Sequence, residues 1–114
     1  MSLPEYVNPN RIANNLEPYQ PTHPGEVLKD ELEYRGISQR SLARRLGISY
    51  SVLNEVLNGK RRLNTELAMM MEAALSIEAA PLLAMQNEYD LLMAGRDESF
   101  MEKLKRIRQI AAAL

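Results

Sequence analysis

Apolar residues return every three or four positions along most of the chain after residue 22, the spacing that gathers them on one face of a helix. Capping residues or prolines open the periodic segments, and glycine closes several of them. The predicted helices run from Pro24 to Gly36, over Gln39–Leu46 and Tyr50–Asn58, from Asn64 to Leu75, over Pro81–Met93, and from Asp97 or Ser99 to Leu114. No segment alternates strictly as a strand would. The pattern therefore predicts an all-α fold.

The second and third predicted helices are short and separated by only three residues, which is typical of a helix-turn-helix. Ser38 and Ser49 are good N-caps for the two helices. Ala43 is small enough for the next helix to pack over it. Gly47 can adopt the positive φ that the turn requires, and a side chain there is expected to crowd Ala43 as well. We therefore predict a helix-turn-helix between Ser38 and Asn58.

The net charge of −1 conceals an uneven distribution of charge along the chain. The segment from Ser38 to Arg62 has six basic residues and only Glu55 as an acidic one, so it carries +5, whereas the rest of the chain carries −6. A basic segment on an acidic chain is typical of nucleic-acid binding, although runs of charge are also common on ordinary solvated surfaces.

Composition excludes several other classes of protein. The chain has no Cys, which rules out disulfides and thiolate metal sites. It has no signal-peptide pattern, and its longest apolar runs are too short to cross a membrane, so a cytoplasmic location is expected. No phosphate-binding glycine loop, nucleophile–base pair or metal-ligand spacing indicates an enzyme or a cofactor. His23, the only histidine, is expected at a helix start.

One run of residues closely resembles a known family. The helix-turn-helix segment is similar to that of the Cro/CI or XRE family, and the matching residues are Gln39…Leu42-Ala43…Gly47-Ile48-Ser49…Leu53…Leu57-Asn58-Gly59. A wider set of segments resembles the HigA-type antitoxins, which are also called plasmid-maintenance antidote proteins. These segments are Pro21-Thr-His-Pro-Gly-Glu-Val-Leu28, Asn54-Glu-Val-Leu-Asn-Gly-Lys-Arg61 and Gln86…Tyr89-Asp90-Leu91. The chain departs from that family at Pro81-Leu82-Leu83-Ala84, where Phe-Trp-Leu-Asn is usual, and at Ser76, where Gly is frequent.

The resemblance implies a lambda-repressor-like domain of five helices at residues 23–94. Outside the match, the prolines and the lack of apolar periodicity in residues 1–22 predict an extended or disordered arm, and residues 95–114 are predicted to add a C-terminal helix. The resemblance also implies a homodimeric repressor that binds a palindromic operator in double-stranded DNA and neutralises a RelE-like ribonuclease toxin. A solitary repressor without a toxin is the alternative. Neither interpretation requires a membrane or a small-molecule substrate.

Helix geometry then selects the candidate DNA contacts. Base-reading side chains are expected at the exposed start of the third helix and along the same face: Tyr50, Ser51, Asn54 and Asn58. Phosphate contacts are expected from Gln39, Arg40, Ser49, Lys60 and Arg61. Asn58 could instead only cap the helix end together with Gly59. Outside this region, Phe100, Leu104, Ile107, Ala111 and Leu114 form an apolar stripe that could dock on this domain or on a partner.

Overall fold

Six α-helices and no strand make up the part of the chain that the structure, a computed structural model, describes: residues 21–114. The helices are α1 (Pro24–Arg35), α2 (Gln39–Leu46), α3 (Tyr50–Leu57), α4 (Thr65–Leu75), α5 (Ala79–Gly95) and α6 (Glu98–Ala111). The all-α prediction is confirmed. The predicted arm lies outside the described residues except for its last two positions.

Local capping chemistry explains where most of the helices begin and end. The side chains of Ser38, Ser49 and Asn64 each accept a hydrogen bond from the backbone N–H three residues on, at 2.8–3.1 Å. Gly36 and Gly47 end α1 and α2 with φ of 69° and 72°, as predicted. The sequence therefore determined the helix-turn-helix boundaries through a few short-range interactions.

The last two helices differ from the prediction at their ends. α5 begins at Ala79 rather than Pro81, because proline is tolerated within the first turn, where its missing N–H removes no helical bond. Gly95 does not break the chain but is the last residue of α5. Asp97 caps α6 by accepting from the backbone N–H of Phe100, and α6 ends at Ala111 instead of Leu114.

The core lies among α1 to α5. Its fully buried side chains come from all of these helices except α2 and from the loop before α4: Leu28, Leu53, Leu57, Leu63 and Met71 among others. Leu42 and Ala43 bring α2 into the same cluster, and Ile37, Leu46 and Ile48 pack against it partly exposed. This packing fixes α3 against α1 and α2 with its first turn facing out.

Gly25, and not Gly47, marks a close approach between two helices. A Cβ built on Gly25 would lie 1.9 Å from the backbone oxygen of Val56, so α1 can touch α3 only because this residue has no side chain. A Cβ on Gly47 would meet nothing within 4 Å. A Cβ at position 47 would therefore not crowd Ala43, and the need for glycine there comes from the positive φ.

α6 differs from the other helices because none of its residues is buried. It follows α5 directly and contacts that helix. Among the described residues, no helix is long and apolar enough to cross a membrane.

Candidate nucleic-acid interface

The first turn of α3 forms the exposed side of the helix-turn-helix. Ser49, Tyr50 and Ser51 are all exposed there, whereas Leu53 and Val56 on the opposite face are buried. The predicted base-reading residues of this turn therefore lie on an accessible surface. A convex helix of this kind, held by its apolar face, has the shape that enters a major groove.

Asn54 is bonded to the start of α2. Its Nδ2 donates a hydrogen bond to Oε1 of Gln39 at 2.9 Å, and both side chains are partly buried. Sequence reasoning assigned the two residues separately, one to a base and one to a phosphate. The bond joins them into one unit. It uses one of the two N–H groups of the Asn54 amide, so it orients the amide plane while leaving the group chemically able to donate and accept.

Arg40 and Tyr50 also form a pair across the turn. The Arg40 guanidinium carbon lies 4.2 Å from the centroid of the Tyr50 ring, which is the geometry of a cation–π contact. This contact brings a positive charge to the exposed start of α3. It also restricts the Tyr50 ring, which is 37% exposed.

Asn58 is the C-cap of α3 and is bonded at both ends of its amide. Its Nδ2 donates to the backbone oxygen of Asn54 at 3.0 Å, and its Oδ1 accepts from Nζ of Lys29 at 2.9 Å. These bonds favour the capping interpretation over base reading. Lys29 was not a candidate on sequence grounds, since nothing along the chain relates α1 to the end of α3.

The basic loop after α3 is attached to neighbouring elements by its arginines. Arg61 forms an ion pair with Glu55 at 2.9 Å, and Arg62 forms one with Asp90 of α5 at 2.7 Å. Lys60 is exposed between the end of α3 and these two arginines. The predicted phosphate contacts Lys60 and Arg61 therefore lie on a loop of defined shape, with the positive charge of Arg61 partly neutralised.

Gln86 is the residue that holds this loop from inside. It is 1% exposed, its Oε1 accepts from the backbone N–H of Leu63 at 2.7 Å, and its Nε2 donates to Oδ1 of Asp90 at 2.9 Å. Sequence reasoning assigned it no role beyond its place in the Gln86…Tyr89-Asp90 motif. That motif was the available signal, because a glutamine at a buried position of a helix needs partners.

Two ionisable groups near the loop have shifted pKa values. Burial raises the pKa of Asp90, but the hydrogen bonds from Arg62 and Gln86 outweigh it, so the pKa lies below its ordinary value. Burial lowers the pKa of His23, against the opposing effects of Glu26, Asp90 and the Arg61 backbone. His23 is the N-cap of α1, as predicted: its Nδ1 accepts from the backbone N–H of Gly25 at 2.9 Å.

His23 also links the start of α1 to α5. Its ring meets Tyr89 edge to face, with centroids 4.9 Å apart. Within residues 21–114, no group of three His, Cys, Asp or Glu side chains could hold a metal ion. The two segments of the wider motif, around His23 and around Tyr89, therefore meet in space and support the basic loop.

Comparison with known proteins identifies the family. A helix-turn-helix family model matches residues 28–82. The chain is 36% identical over 77 residues to virulence-associated protein I of Dichelobacter nodosus, a match covering 67% of this chain and 71% of that protein. It is also similar to the structure of a putative antidote protein of a plasmid maintenance system from Nostoc punctiforme, with TM-score 0.65, 31% identity, and coverage of 79% of this chain and 97% of that one.

The chain is also similar to the structure of Pseudomonas aeruginosa antitoxin HigA with the higBA promoter. That structure has TM-score 0.64 and 30% identity to this chain, and the match covers 79% of this chain and 94% of that one. The chain belongs to the HigA-type antidote family of helix-turn-helix proteins. As a member of this family, it is a DNA-binding regulator of the XRE class and not an enzyme.

Proposed function

We propose that this HigA-type protein is the antitoxin of a type II toxin–antitoxin module. It acts as a homodimer that binds a palindromic operator, represses its own operon, and neutralises a RelE-like ribonuclease encoded beside it. The protein acts in the cytoplasm, where both its operator and the toxin are found.

One observation carries the DNA-binding part of the proposal: Tyr50 and Ser51 are exposed in the first turn of α3, and the half-buried Asn54 follows on the next turn with its amide oriented by Gln39. Asn is suited to bidentate bonding with adenine, and Ser can bond either a base or a phosphate. Around this turn, Gln39, Arg40, Ser49, Lys60 and Arg61 contact phosphates and fix the register of α3 on the groove. Two such helices in a dimer read half-sites about 34–36 Å apart.

The toxin part is supported by family and by charge. The HigA structure from Pseudomonas aeruginosa is that of an antitoxin, solved with the higBA promoter. Outside Ser38–Arg62, this chain carries −6. A ribonuclease that binds RNA has a basic surface, which an acidic surface distinct from the DNA-binding one can attract.

The operator part is tested by gel shifts with the DNA upstream of the gene and with a scrambled duplex of equal length. We expect the upstream DNA to bind at least about 1,000-fold more tightly at physiological salt, in the range usual for specific regulators. Equal affinity for the two duplexes would contradict sequence-specific repression.

The toxin part is tested by co-expression with each gene that adjoins this one, followed by pull-down and an RNA-cleavage assay. We expect one neighbour to be a small ribonuclease that co-purifies with the protein and loses activity in the complex. Specific operator binding without any such neighbour would leave the alternative, a solitary repressor.

A further inference from the structure

α6 leaves an apolar surface in water along its whole length. None of its residues is buried, yet Ile107 is 49% exposed and Ile110 is 66% exposed. Phe100 and Met101, nearer the junction with α5, are 40% and 37% exposed. Leu104, between these positions, is half-buried. An apolar stripe that remains this accessible on an otherwise charged helix marks an interaction surface.

The spacing of this stripe is that of a coiled coil. Phe100, Leu104, Ile107 and Ala111 are separated by four, three and four residues, so they occupy successive d and a positions of a heptad repeat. The positions beside this seam alternate between apolar and basic residues: Met101, Lys103, Arg108 and Ile110. An apolar seam with strict heptad spacing packs best against a second helix that has the same spacing. We therefore expect the partner of this surface to be a helix and not an irregular surface.

We propose that α6 pairs with α6 of a second copy of the chain, with the two helices antiparallel. This inference rests on the homodimer of the proposed function and assigns its interface. In the register that overlaps the two helices most fully, Phe100 packs opposite the partner's Ala111 and Leu104 packs opposite the partner's Ile107. A large side chain then faces a small one at each end of the seam, as close packing requires.

The flanking charges select the antiparallel direction. In a parallel pair, Lys103 would lie beside Arg108 of the partner subunit on both sides of the dimer, and like charges repel. In the antiparallel pair, Lys103 lies beside the partner's Ile110, and Met101 lies beside the partner's Arg108. The aliphatic parts of the two basic side chains then cover apolar surface while their charges stay in water.

The antiparallel register is also constrained. Moving one helix by a heptad toward its C-terminus would bring Arg108 against the partner's Arg108 and leave Phe100 without an opposite residue. That register would also need Leu114, which lies beyond the end of α6 at Ala111.

Charge further favours a second copy over the toxin as the occupant of this surface. α6 contains four basic residues, Lys103, Lys105, Arg106 and Arg108, against two acidic ones. A basic ribonuclease would meet like charge there, whereas two α6 helices can turn these side chains outward.

The interface is tested by sedimentation velocity on the full chain and on two double variants with equal added charge. Leu104→Lys with Ile107→Lys disrupts the seam, whereas Ser99→Lys with Gln109→Lys lies off it. We expect the seam variant to raise the dimer dissociation constant at least about 100-fold, because dimerisation would bury unpaired charge, and the control to leave it nearly unchanged. Circular dichroism checks that both variants remain helical.

The outcomes separate the two proposals. A seam variant that stays dimeric overturns the α6 interface while leaving the antitoxin intact. A wild-type chain that is monomeric at micromolar concentration overturns both the α6 pairing and the homodimer of the proposed function.

The direction of pairing is tested by disulfide formation, since the chain has no natural Cys. Chains carrying Phe100→Cys are mixed with chains carrying Ala111→Cys and oxidised under mild conditions. The antiparallel pair predicts the mixed disulfide, because the two positions face each other. Disulfides only between identical chains would indicate a parallel pair, in which positions 100 and 111 are about 16 Å apart along the axis, and would overturn the proposal.

Discussion

Asn54 has two tasks in the proposed function, because its amide links α3 to α2 and is also proposed to read a base. The bond to Gln39 means that a base contact by Asn54 requires little additional ordering of the side chain. The same bond means that removing Asn54 leaves Gln39 without this partner. Variants of Asn54 must therefore distinguish a loss of base reading from a loss of support for the fold.

We expect Asn54→Ala to weaken operator binding by about 1–3 kcal/mol and to relax the preference at one base pair, since a bidentate contact with adenine is lost. Gel shifts against a set of single-base operator variants measure both effects. Asn87→Ala, at an exposed position of α5, is the matched control and should bind like wild type. If Asn54→Ala also matched wild type on every duplex, Asn54 would not read a base.

Alanine variants of Gly25 and Gly47 test why each position requires glycine. Gly25→Ala should lower the free energy of unfolding by at least about 1–3 kcal/mol, because its Cβ would overlap the backbone oxygen of Val56 and separate α1 from α3. Gly47→Ala should cost about 1–2 kcal/mol, from the positive φ alone. Urea unfolding followed by circular dichroism compares them. A larger cost at Gly47 than at Gly25 would contradict this packing.

At the scale of elements, the loop between α3 and α4 depends on α5 for its shape. Gln86 accepts from the backbone of Leu63, and Asp90 receives Arg62, so a helix distant in sequence holds the basic loop. Exposed ion pairs contribute less than about 1 kcal/mol each. The buried amide of Gln86 is therefore the stronger attachment, because an unsatisfied group there would cost more.

The loop should act on DNA affinity without sequence preference. Lys60→Ala together with Arg61→Ala is expected to weaken binding to operator and random DNA alike, and to reduce the slope of log K against log salt by roughly one per lost phosphate contact. Lys105→Ala with Arg106→Ala, at exposed positions of α6 away from the proposed seam, removes the same charge elsewhere and is the control. An unchanged slope in the loop variant would show that the loop faces away from the DNA backbone.

At the scale of the whole molecule, His23 connects the start of α1 with the loop and with α5. Its pKa is lowered from 6.5 in the folded protein because burial disfavours the charged ring, so the unfolded chain binds the proton more tightly. The stabilisation is therefore fully present above the unfolded pKa, where the ring is neutral, and it is lost as the pH falls from the unfolded pKa through the lower folded pKa. Protonation would also remove the acceptor that caps Gly25.

We expect the free energy of unfolding of the wild type to fall between pH 7 and pH 5 more steeply than that of His23→Asn, because asparagine can cap α1 but does not titrate. Urea unfolding at several pH values measures the difference. Asp90, with its lowered pKa, contributes stability that is lost at more acidic pH, so it does not mask this window. Parallel pH profiles of the two proteins would show that His23 is not the group responsible.

The sequence by itself determined the helices and the turn of the helix-turn-helix. Ser38, Ser49 and Gly47 act within three or four residues of their own position, so their effects can be read along the chain. The exposed face of α3 followed from the same periodicity, because the apolar residues on its other side must be buried. The resemblance to the XRE helix-turn-helix was available for the same reason, since its motif lies within Gln39–Gly59.

Only the tertiary structure decided which distant groups meet. The bond of Asn54 to Gln39, the attachment of Asn58 to Lys29 and the support of the loop by Gln86 each join residues 15 to 29 positions apart. The need for glycine at position 25 also arises from a neighbouring helix. Helix periodicity gives the direction of a side chain relative to its own axis, but it carries no information about which axis lies opposite. That choice is made by the packing of the whole core.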